Sequence, residues 1–138
     1  MIRALVLAFV CAGVFSSGAF SQTPAPEDAR VYFIEPGNGV EIEGPVKVTF
    51  GLSGMGVAPA GVDKKHTGHH HLLIDTTIED FTDTIPNDEN HRHFGGGQTE
   101  VVLELAPGKH TLQLILGDHN HIPHNPPIKS DVITIVVK

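Results

Sequence analysis

Ten histidines stand in this 138-residue chain, at positions 66, 69, 70, 71, 91, 93, 110, 119, 121 and 124. Six of them form three separate His-x-His pairs: His69 with His71, His91 with His93, and His119 with His121. On extended backbone, residues i and i+2 point to the same face, with Cα atoms about 6.5 Å apart. Two imidazoles at that separation can share one ion at about 2.0–2.1 Å each, and a third or fourth ligand must come from another strand or loop. The candidate metal ligands are therefore His69, His71, His91, His93, His119 and His121. Asp75 and Asp118 are candidate oxygen ligands, groups that orient a histidine, or turn formers. His66, His70, His110 and His124 are left without an assigned part. Histidines in loops also serve as plain solvated groups or as pH sensors near pH 6.5, but three such pairs in one small domain favour a metal.

Donor chemistry narrows the ion. Neutral imidazole suits zinc, copper, nickel and iron, whereas Cu(I) prefers thiolates and thioethers. The sequence holds one cysteine, Cys11, and two methionines, Met1 and Met55. An all-nitrogen site thus points to a copper(II) or zinc ion as cofactor, with copper(II) the tighter binder by the Irving–Williams order.

The chain begins as an export signal does. Arg3 is followed by an apolar run over residues 4–15, then small residues, with Ala19 and Ser21 at the −3 and −1 positions of a cleavage before Gln22. The run is too short for a membrane anchor, which needs about 20 apolar residues. Residues 1–21 are read as a signal peptide, 22–30 as a flexible leader and 31–138 as one domain. The expected location is periplasmic or secreted, with no membrane insertion after cleavage. Removing Arg3 from the 9 Lys+Arg leaves 8 against 16 Asp+Glu, a formal charge of −8. An acidic chain without basic clusters excludes nucleic acid as a partner. A cysteine-free exported chain must hold together by its core.

The elements that must position the histidines read as short strands. "VYFI", "GVEIEG", "PVKVTFGLSG", "HHLLID", "TEVVLEL", "KHTLQLILG" and "DVITIVVK" are separated by Gly, Pro, Asn and Asp. Several alternate with period two: Val46, Val48 and Phe50 against Lys47 and Thr49, and Leu112, Leu114 and Leu116 against Thr111 and Gln113. This predicts an all-β, immunoglobulin-like antiparallel β-sandwich of about seven strands, with a small Greek-key β-barrel as the alternative. "APGKH" (106–110) reads as a tight hairpin turn. Within "GHHHLLID", parity sends His70, Leu72 and Ile74 to the core, and His69, His71, Leu73 and Asp75 to the other face. "FGGGQTE" (94–100) lacks the lysine of a phosphate loop, so its glycines are read as letting the backbone turn tightly beside the site.

Four stretches, "GLSGMGVAPAGVDKKHTGHHHLLID", "HFGGGQTEVVLEL", "GKHTLQLILGDHNHIPHNPP" and "ITIVV", together resemble the bacterial family known as domain of unknown function 4399. The resemblance covers roughly residues 45–138. It implies export, one β-rich domain and a histidine signature around His69–His71, His93 and His119–His124, and it carries no established activity. The reading that follows is a periplasmic or secreted metal-binding protein for carriage, buffering or delivery, its partner a periplasmic metal-trafficking protein. Two alternatives stand beside it: a metal-dependent oxidoreductase with a superoxide-dismutase-like arrangement, and a binding module that uses no metal. Enzymatic activity is left open and is the less favoured reading.

Overall fold

The computed structural model describes residues 21–138; the expected signal peptide lies outside the described residues except for Ser21. Nine strands follow in order: β1 (Arg30–Glu35), β2 (Glu41–Ile42), β3 (Val46–Ser53), β4 (Gly56–Val57), β5 (Thr67–Ile74), β6 (His91–His93), β7 (Glu100–Leu103), β8 (Gly108–Gly117) and β9 (Ile133–Val137). They form two sheets. One has the order β1-β3-β7; the other runs β2-β9-β8-β5-β4, with β6 added to β5. The architecture is an all-β sandwich and not a closed barrel. Among the described residues no helix is long and apolar enough to cross a membrane.

Period-two patterning explains how the sheets pack. Val46, Val48 and Phe50 of β3, Leu103 of β7, Leu112, Leu114 and Leu116 of β8, and Ile133, Ile135 and Val137 of β9 share one buried cluster. Each such side chain, fully buried, is worth roughly 1.5–3 kcal/mol over its exposed state. On the outer face of the larger sheet a smaller cluster forms, where Leu73 and Ile115 are covered by Ile85 of the 76–90 loop, with Ile78 and Phe81 packed alongside. β5 is thus covered on both faces, and seven of its eight residues are buried.

The structure departs from the sequence reading in three places. All seven expected strands are present, but β4 and β6 add two short ones, and β4 with β5 and β2 with β9 pair in parallel. The "APGKH" turn is not a hairpin: β7 pairs with β3 in one sheet, while β8 pairs with β5 and β9 in the other. The Pro-Gly signal marks a change of direction, which here carries the chain from one sheet to the other. His110 fastens this crossover, with Nδ1 2.7 Å from Asp75 Oδ2 and Nε2 2.7 Å from the Ala106 carbonyl. Only an imidazolium donates to both acceptors, and those two bonds raise the His110 pKa above its ordinary value. Finally, residues 22–25, expected to begin a flexible leader, are hydrogen-bonded to the 117–130 loop. Pro-rich composition carries no information about such long-range bonds.

Candidate metal centre

The triple histidine falls inside β5, where successive side chains alternate between faces. His70 turns to the inter-sheet core, its ring 5.1 Å from that of Phe50. Leu72 and Ile74 join it there. His69 and His71 take the opposite face, and their Nε2 atoms lie 3.0 Å apart. β6 pairs with β5 so that His93 stands directly across from His71. The rings of His69 and His71 are each 5.0 Å from that of His93. The tight turn after β8 supplies a fourth ring: His121 lies 4.8 Å from His93 and 5.1 Å from His69, centroid to centroid.

Four of the six candidate ligands therefore meet in one place, and two lie apart. One ligand atom from each of His69, His71 and His93 falls within 4.8 Å of the others. His91 follows the same strand face one step further along, opposite Leu73. Its Nδ1 is taken by Asp88 Oδ1 at 2.8 Å. His119 is turned toward Asn120, at 2.9 Å, and toward Asp63, at 3.8 Å. The i, i+2 rule holds on extended backbone, and residues 118–122 are a turn: His121 has φ +66°. Neither aspartate presents a free carboxylate. Asp75 accepts from Thr111 N–H at 2.8 Å and meets His110. Asp118 accepts from the N–H groups of Asn120 and Ile122 and from the Thr23 hydroxyl. Both act in turns.

Close approach of these rings depends on glycine. A Cβ on Gly117 would lie 2.8 Å from His71 Nε2. One on Gly95 would lie 2.7 Å from His93 Nε2 and nearer still to its Cε1. The "FGGGQTE" glycines thus do more than turn the chain, because Gly95 vacates the space that His93 occupies. Gly117 gave no such signal in sequence, since its partner ring lies 46 residues away on the neighbouring strand.

Burial disfavours the protonated form of the clustered imidazoles at His69, His71 and His93. Burial, then the imidazoles of His121 and His93, push the His69 pKa down to about 4. Burial and the rings of His69, His93 and His121 push His71 down to about 2. Burial lowers His93 as well. Neutral imidazoles have lone pairs to offer, and His93 Nε2 is buried without a hydrogen-bond partner. The Nε2 atoms of His69 and His71 are hydrogen-bonded to each other at 3.0 Å, and two nitrogens of a tetrahedral site at 2.0–2.1 Å from one ion stand about 3.3 Å apart, so little movement separates the two arrangements. These donors fit copper(II) or zinc, and a histidine cluster of this kind could hold a metal ion.

A pH dependence follows. His69, His70, His71, His93 and His124 all have folded pKa values below the ordinary 6.5, with burial as the first cause. The unfolded chain therefore takes up protons first as pH falls, and stability drops by about 1.4 kcal/mol per pH unit for each fully coupled group. The half-buried His110 has the opposite sign: its stabilisation is fully present below about pH 6.5 and is lost as pH rises through its raised pKa. Melting temperatures of the metal-free chain should decline slightly above about pH 6.5, where the His110 contribution is lost, and fall steadily from there toward about pH 4 as the five buried or half-buried histidines act. An unchanged melting temperature across that window would contradict the assignment of neutral, buried histidines.

The fold and the site define a small β-sandwich whose larger sheet carries a buried histidine cluster under its connecting loops. The chain belongs to the family described as Domain of unknown function (DUF4399), which matches residues 48–138. No curated protein matches it. Among solved structures, the chain is similar to the endo-beta-1,4-mannanase from Thermotoga petrophila, at 18% identity and a TM-score of 0.48. That match covers 80% of this chain and 20% of the mannanase, so the chain spans about a fifth of the length of that enzyme.

Proposed function

We propose that this chain is an exported metal-binding protein that takes up one copper(II) or zinc ion through His69, His71 and His93, with His121 as a fourth ligand. The observation that carries this reading is the convergence of three buried or half-buried imidazoles within 4.8 Å. Burial of a polar group without a partner costs roughly 1–3 kcal/mol. Five histidines here have buried ring nitrogens without one. An ion held by the Nε2 atoms of His69, His71 and His93 offsets that cost at His93 Nε2, while the unpartnered nitrogens of His69 and His71 are their Nδ1 atoms. Carriage, buffering or delivery in the periplasm suits a neutral all-imidazole site, whose ligands release the ion as they protonate. A metal-trafficking protein of that compartment is the partner this role requires.

Thermal melts test the proposal. Adding copper(II) or zinc at a hundredfold excess over Kd should stabilise the fold by roughly 2.7 kcal/mol, a rise of several degrees. Calcium and magnesium, which demand oxygen ligands, should leave the melting temperature unchanged. A chain whose melting temperature does not respond to copper or zinc is not a metal carrier.

A further inference from the structure

The segment before β1 reaches across both loops that close the histidine site. The Gln22 side-chain amide donates to the Phe81 carbonyl at 2.6 Å and to the Pro123 carbonyl at 3.0 Å. The Thr23 hydroxyl donates to Asp118 Oδ2 at 2.7 Å. Backbone bonds continue the contact: Asn125 N–H to the Thr23 carbonyl and Ala25 N–H to the Asn125 carbonyl, both 2.9 Å. Asp118 is buried, and its other oxygen accepts the N–H groups of Asn120 and Ile122, the residues on either side of His121. A carboxylate with both oxygens engaged has one orientation. The His121 backbone is held within the same frame, its N–H on the Asp118 carbonyl and its own carbonyl on the Ile85 N–H, both 2.9 Å. At φ +66° it sits in a conformation that non-glycine residues adopt only when their surroundings impose it.

We propose that Gln22 and Thr23 form a strap that positions His121 for the metal, acting through Asp118 and the Pro123–Asn125 backbone. The inference rests on the metal reading above and adds to it a pair of positioning residues some 100 positions away in sequence. The strap leaves the ligand atoms of β5 and β6 untouched. Its effect therefore falls on the one ring that comes from a turn. Partners that orient metal ligands typically alter affinity 10–100-fold when removed, and the strap should act within that range.

The test is a double-mutant cycle in the chain expressed from its full sequence, with zinc and copper(II) as probes. Gln22→Met together with Thr23→Val deletes the side-chain donors with little change of shape. This variant should bind the ion about tenfold more weakly than the parent. In the metal-free state its amides at Asn120, Ile122 and Asn125 should exchange faster. In a His121→Ala background the same two substitutions should cause no further loss of affinity. Equal affinity in parent and strap variant overturns the inference while leaving the metal reading intact. A loss that persists undiminished in the His121→Ala background also overturns it, because the segment would then act on the whole fold. A parent that takes up neither ion overturns the metal reading and the strap with it.

Discussion

Replacing His69 and His71 together by alanine is expected to abolish metal binding, and with it the whole metal-linked rise in melting temperature. These two residues supply the Nε2 atoms 3.0 Å apart, and no other i, i+2 pair in the chain brings both rings to the cluster. The fold should survive. Their rings occupy the outer face of β5, while the inter-sheet core is built by His70, Leu72 and Ile74 on the opposite face. Truncation leaves a cavity but also removes buried ring nitrogens without partners, so the two effects on the metal-free protein oppose each other. The companion variant, His91→Ala with His119→Ala, should bind the ion as tightly as the parent, because those rings are turned to Asp88 and to Asn120. Isothermal titration with zinc distinguishes the two. Retained binding in the first variant, or lost binding in the second, would assign the site to the wrong histidines.

Gly117→Ala is the second large effect. The added methyl would stand 2.8 Å from His71 Nε2 and 3.1 Å from its Cδ2. His71 is wholly buried, so its ring has little free space to move into. Its displacement carries Nε2 away from His69 Nε2 and out of the arrangement proposed to hold the ion. Affinity should fall at least tenfold, as for other changes that disorient a ligand. Stability of the metal-free chain should fall by roughly 1–3 kcal/mol, the usual cost of overpacking. Gly37→Ala is the control, since its methyl meets only Val40 Cγ1 at 3.6 Å. Competition against a chromogenic chelator reads the affinity, and parent-like affinity in Gly117→Ala would show that His71 Nε2 is not a ligand atom.

Much of this was legible in the sequence, and what was not has physical causes. Alternation in β3 and β8 predicted the core face residue by residue, because a half-buried strand leaves a period-two record. The same parity placed His70 toward the core and His69 with His71 on the other face. The identical spacing of His119 and His121 carried no such information. Asp118 draws the N–H groups of Asn120 and Ile122 onto its own side chain, the backbone leaves the extended region, and parity fails. His91 and His93 do share a strand face, yet Asp88 of the preceding loop engages one of them, a contact that spacing alone does not encode. Strands of two or three residues, such as β4 and β6, are set by their partners rather than by their own pattern. The crossover after β7 resembles a hairpin in sequence because Pro-Gly reports a turn and not which sheet receives the next strand. The contributions of Gln22, Thr23 and Gly117 are long-range contacts, visible only once the loops are folded over the outer face of β5.

Native mass spectrometry of the untagged chain, isolated after export and titrated with copper(II) and zinc, tests the central claim most directly. The expected spectrum shows one ion bound per chain, lost when pH falls below the range in which the clustered imidazoles are neutral. A spectrum that remains at the metal-free mass with both ions in excess would contradict it.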